Sequence, residues 1–211
     1  MHFKVLLKME NNKYLDDLSE IKNLMSKSTQ FISLSGFAGI LAGFYAVVGA
    51  YFAHQLIENH LKTTDYITLE SYTFYKIIGI ALLVLVASVS TAFYLSYKKA
   101  HKNNEHLWNS TSKRLLINFC IPLVTGGILI ILFLKNGIYG LVAPMTLIFY
   151  GLACVNASKY TFKDVRYLGI LEIILGVIAV DFSGYGLWFW VVGFGILHII
   201  YGAIMYVKYD K

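Results

Sequence analysis

Charge is what this sequence is short of. Asp, Glu, Lys and Arg make up 14% of its 211 residues, against about a quarter in a typical soluble domain. Proline is nearly absent, with only Pro122 and Pro144, each inside an apolar run where it can kink a helix. Cysteine is equally scarce. Cys120, near the start of its apolar run, and Cys154, near the finish of the next, are both expected at the cytoplasmic side, and read as free, small apolar side chains in a reducing compartment. Motifs that carry a mechanism are missing too: there is no H-E-x-x-H, no C-x-x-C pair and no Walker loop. Regular alternation of apolar and polar residues, which a membrane β-barrel needs, is also lacking.

What is there is hydrophobic: 57% of residues, with mean hydropathy +0.62. The apolar residues gather into six runs, at 31–54, 74–97, 115–134, 137–156, 167–180 and 185–207. Most approach or exceed the roughly 20 residues that cross a bilayer as a helix, and the fifth is the shortest. Lipid offers backbone groups no hydrogen-bond partner, so the runs must be helical. The expected fold is an all-α membrane protein, a six-transmembrane-helix bundle arranged as three in-out-in hairpins. Residues 1–30 are expected to form a cytoplasmic amphipathic segment, because Leu15, Leu18, Ile21 and Met25 recur at helical spacing. Residues 31–211 form the transmembrane domain. The first run is too long for the apolar part of a signal peptide and lacks a small-residue cleavage site, so it is expected to stay in the membrane.

The net charge of +6 first suggests nucleic acid. Position along the chain explains it better. Fifteen of the 18 Lys and Arg residues precede the first run, link the second to the third, link the fourth to the fifth, or follow the sixth. Only Lys62, Lys76 and Lys135 fall on the other side. Such a bias orients membrane proteins with their basic loops inward. It predicts a multi-pass protein of the cell (inner or plasma) membrane with both termini cytoplasmic, and it excludes nucleic acid as the reason for the charge.

Two ionisable residues lie inside apolar runs, in matching frames: Gly169-x2-Glu172-x3-Gly176 and Gly195-x2-His198-x3-Gly202. Residues at i−3, i and i+4 share one helix face, and glycine on a membrane helix marks a close approach by another backbone. Both side chains are therefore expected to face protein and not lipid. At 1.5 Å per residue, Glu172 lies about 9 Å beyond Arg166 and His198 about 13 Å from Val207, both in the cytoplasmic half. An ionised carboxylate in hydrocarbon costs several kcal/mol, so Glu172 must be neutral, paired or hydrated. Antiparallel register places it opposite residue 194, about 6 Å short of His198. Ser35, Ser88, Asn118 and Asn156 fall at similar depth, and with Glu172 and His198 they are the candidate lining of a cytoplasm-facing pocket for a ligand or proton.

The remaining features are less pointed. His54, Glu58 and His60 are ligand-type residues without an evident fourth partner, so no metal and no cofactor is expected. Gly39 and Gly43 form G-x-x-x-G, which serves packing within the bundle first and a second copy of the chain otherwise. Tyr139-Gly140-Leu141 and Tyr185-Gly186-Leu187 follow the two short turns, and Tyr150-Gly151 and Tyr201-Gly202 come later in each hairpin.

The stretch from Gly184-Tyr-Gly-Leu-Trp-Phe-Trp190 to Gly195-Ile-Leu-His198-Ile-Ile-Tyr201-Gly202, with Met205-Tyr206 and Tyr209-Asp210, resembles the end of a group of uncharacterised bacterial six-span membrane proteins. Phe31-Ile-Ser-Leu-Ser-Gly36 resembles their start. The resemblance implies the six-span architecture and no activity. The glycine-rich hairpins are also similar to those of acid-resistance membrane proteins, a likeness that transfers no residues. The expected function is the binding or moving of a small ligand, lipid or proton, with the bilayer as partner. The alternative is a structural or regulatory protein that docks other membrane proteins through its glycine faces. A membrane enzyme is the third and least favoured reading.

Overall fold

A computed structural model of the chain describes residues 31–62, 71–103, 108–182 and 184–211. The amphipathic segment expected at 1–30 lies outside the described residues, as do residues 63–70. The described residues are helical throughout, with no strand among them. Six helices follow one another: α1 Gly36–Leu61, α2 Tyr72–Lys102, α3 Ser110–Lys135, α4 Tyr139–Tyr160, α5 Asp164–Asp181 and α6 Gly186–Asp210. Five of them, all but α5, are long and apolar enough to cross a membrane. α5 has 18 residues and carries Asp164, Arg166, Glu172 and Asp181.

The helix ends follow from capping chemistry more than from the limits of the apolar runs. Ser71 accepts from the Phe74 amide at 3.1 Å and starts α2. Asn109 and Ser112 form a capping box that starts α3. α3 ends in a Schellman turn: Ile138 N donates to Phe133 O, Gly137 N donates to Leu134 O, and Gly137 takes φ +73°. α1 begins five residues into the first apolar run, because Phe31 is tied to the α4–α5 turn. Its amide donates to Tyr160 O at 2.7 Å, and its carbonyl accepts from the Thr161 hydroxyl at 2.8 Å. α1 then runs on to Leu61, well past His54. Pro122 sits inside α3, as expected. Pro144 does not interrupt a helix. It falls in the first turn of the regular part of α4, Val142–Ala157, where its missing N–H has no partner to lose.

Two glycine-lined crossings hold the bundle. At the first, α1 runs antiparallel to α6. A Cβ on Gly43 would come within 2.6 Å of Gly195 O, and one on Gly36 within 2.7 Å of Gly202 O. At the second, α4 runs antiparallel to α5. A Cβ on Gly151 would stand 2.5 Å from Gly169 O, and one on Gly176 would stand 2.9 Å from Pro144 O. Backbones this close leave room only for hydrogen, and the gain is dispersion contact along both helices. α2 packs on α1 and α3 on α4, each with only 6% of its most apolar window buried, so these two helices present their sides to lipid. α5 packs most extensively on α4, and α6 on α1, although a short turn joins α5 to α6.

At the basic end, the Asp210 carboxylate closes the bundle. Its Oδ2 accepts from Gly36 N at 2.8 Å and from the Ser35 hydroxyl at 3.2 Å, and its Oδ1 accepts from Lys99 Nζ at 2.6 Å. An anion here meets the free amides and positive dipole end of α1. The clasp ties together the start of α1 and the ends of α2 and α6.

Candidate functional site

Glu172 lies in the middle of α5 with no exposed surface. Its flanking glycines, Gly169 and Gly176, pack against α4, and this draws the helix close enough to enclose the side chain. The carboxylate points across to α6, to a segment with π-helical backbone, Val191–Leu197. Gly193 in that segment makes the room: a Cβ there would lie 2.5 Å from Glu172 Oε2 and would collide with the Leu147 side chain. Inserted π turns recur at functional sites, and their i→i+5 bonding stacks residue 198 on residue 193.

That stacking brings His198 to the carboxylate. Nδ1 of His198 is 3.4 Å from Glu172 Oε1 and 3.0 Å from the Gly193 carbonyl oxygen. A carbonyl can only accept, so Nδ1 carries a hydrogen and donates it to Gly193. The contact with Glu172 is therefore side-on and not a directed hydrogen bond. Neither carboxylate oxygen has a hydrogen-bond partner among the described residues. On the other edge of the ring, Nε2 lies 2.8 Å from the Tyr150 hydroxyl. A neutral imidazole accepts there from Tyr150, and an imidazolium donates to the same oxygen. Phe194 stacks on the imidazole at 5.7 Å between centroids, and Phe119 meets Tyr150 edge-on at 6.0 Å. These rings pack around His198 and Tyr150. A row such as Glu172–His198–Tyr150 can hold a proton and pass it along: an imidazole can take a proton at one nitrogen and release one from the other.

The residues singled out from the sequence separate into groups. Glu172 and His198 stand together, and the register gap expected between them is closed by the π turn and by the reach of the glutamate. Asn118 and Asn156 join each other: the Asn156 amide donates to Asn118 O at 2.9 Å, while the Asn118 side chain donates to Arg114 O one turn earlier on its own helix. Ser35 belongs to the Asp210 clasp. Ser88 is half-buried on α2, whose main partner is α1. His54 is 4.0 Å from Glu58, but Lys62 holds the same carboxylate at 3.2 Å, and His60 pairs with Thr73. No group of three or more His, Cys, Asp or Glu that could hold a metal occurs among the described residues.

Sequence reasoning missed Tyr150 and Gly193 as members of the site. Tyr150 stood out only as part of a repeated Tyr-Gly pair, since nothing local ties it to a residue 48 positions away. Gly193 lies one residue from the position that antiparallel register sets opposite Glu172, and that was the available signal. No protein-family model, no curated protein and no solved structure matches this chain.

Proposed function

We propose that this chain is a six-span protein of the inner or plasma membrane, with both termini cytoplasmic, and that it takes up and releases a proton at Glu172, His198 and Tyr150 as part of a transport or sensing role. The basic bias of the loops supports the orientation, and α5, though short and more charged, completes an even number of spans. One observation carries the proton reading: a carboxylate with no exposed surface and no hydrogen bond of its own lies 3.4 Å from an imidazole that is held on both nitrogens. Intramembrane ionisable residues are costly and are kept at proton or substrate pathways. Of a ligand, a lipid and a proton, only the proton needs no cavity, and Glu172 is closely packed. The glycine faces Gly36, Gly39 and Gly43 meet α6 inside the chain, which weighs against docking of other proteins through them.

Infrared difference spectroscopy of the protein in lipid, between two buffer pH values, tests this. A carboxyl band that responds to pH and to D₂O, vanishes in Glu172→Gln and shifts in Tyr150→Phe is the expected result. Spectra of the wild type and Glu172→Gln that coincide at every pH where both remain folded would contradict it.

A further inference from the structure

A groove of about 180 Å³ runs between α5 and α6 at the basic end of the bundle, apart from the proton site. Its walls are Leu168 and Leu171 from α5 and Leu197, Ile200 and Ile204 from α6. From Asp164 at its mouth to Leu171 it descends about 10 Å, a third of the hydrocarbon core. It opens sideways, since Ile200 is 51% and Ile204 52% exposed, so whatever fills it comes from the membrane. A helix is about 10–12 Å across and does not fit; a single alkyl chain does.

One polar feature qualifies the occupant, the charge at the mouth. Lys208 on α6 is 53% exposed at its side chain and lies 3.0 Å from Asp164, which also accepts from Tyr209 at 2.7 Å. Lys163, the residue before α5 and next to Asp164 in the chain, is exposed. Two lysines against one carboxylate leave the mouth positive, at a level where lipid phosphates lie. Basic pockets between membrane helices on the cytoplasmic side suit anionic headgroups.

We infer that this groove is a binding site for one anionic phospholipid. One acyl chain lies along Leu168, Leu171, Leu197 and Ile204, and the phosphate sits at Lys163 and Lys208. The assignment rests on the orientation proposed above for the basic end, and it does not depend on the proton site.

Native mass spectrometry of the full chain, released from detergent after titration with phosphatidylglycerol or phosphatidylcholine, tests it. The expected result is roughly tenfold stronger retention of phosphatidylglycerol. That preference is lost in Lys163→Ala/Lys208→Ala, and retention of both lipids is lost in Leu197→Trp, which fills the groove. Ile204→Phe, at a half-exposed wall position, repeats the second test should Leu197→Trp fail to fold. Equal retention of the two lipids overturns the proposal, as does retention unchanged by either groove-filling variant. Displacement of the lipid by glycerol phosphate at equal concentration overturns it too, by assigning the lysines to a free phosphate.

Discussion

The carboxylate of Glu172 occupies the volume that a side chain at residue 193 would need: a Cβ on Gly193 would stand 2.5 Å from its Oε2. This one relationship sets the width of the α5–α6 contact, and it places the acid where His198 can reach it.

Gly193→Ala is therefore expected to destabilise the protein by about 1–3 kcal/mol, the usual cost of forcing atoms into a filled site. The cost should fall when Glu172 is already alanine, leaving only the collision with Leu147. Thermal unfolding of the two single variants and the double variant, in one detergent, measures the coupling. Additive losses would show that Gly193 and Glu172 do not share the space.

The two glycine crossings make a contrasting prediction. Gly43→Val and Gly151→Val each drive side-chain atoms into a backbone carbonyl 2.5–2.6 Å from the Cβ, so each should cost about 2 kcal/mol or more. At Gly127 a Cβ would meet nothing within 4 Å. Gly127→Ala should be neutral, or stabilising by up to about 1 kcal/mol through helix propensity. The same unfolding assay distinguishes them, and equal losses at all three sites would refute the assigned crossings.

How legible this was in the sequence depends on range. Apolar length marked the five helices long enough to cross a membrane, because a bilayer imposes one length scale on every span; α5 followed from a shorter run. The ends were read less well, since α1 outruns its apolar stretch and Pro144 lies in a first turn and not a helix interior. The glycine frames around Glu172 and His198 announced close approach, but spacing on one helix cannot name the neighbour. Gly169 and Gly176 meet α4, and Gly195 and Gly202 meet α1. The frames thus draw α5 and α6 toward different helices, while Glu172 and Gly193 bring the two together from the side. Tyr150 and the Asp210 clasp depend on contacts 48 and more than 100 residues apart, which no local pattern encodes.

Asp210→Asn removes the charge that Lys99 Nζ and the first amides of α1 share. With both side chains largely buried, at 16% and 10% exposure, the expected loss is about 3 kcal/mol. Chemical denaturation in detergent reads it. Lys99→Met/Asp210→Asn should recover part of that loss, because it leaves no unpaired charge; a double variant weaker than the sum of the singles would count against the clasp.

Topology is open to direct labelling. In a Cys120→Ala/Cys154→Ala background, Lys62→Cys, Lys135→Cys and Tyr185→Cys should react with a membrane-impermeant maleimide on intact cells. Lys102→Cys and Lys163→Cys should react only after permeabilisation. Residues 163 and 185 reacting from the same side would mean that α5 does not cross the membrane.

The central claim is that Glu172, His198 and Tyr150 hold a proton as one unit. Solid-state NMR of the protein in bilayers, with labelled glutamate carboxyl carbons and histidine ring nitrogens, follows both groups through one pH titration. Coupled sites titrate with shared apparent midpoints. The account predicts that the Glu172 and His198 signals move together, and that Tyr150→Phe displaces both midpoints. Signals that titrate independently, or that stay fixed while the surface histidines titrate, would contradict it.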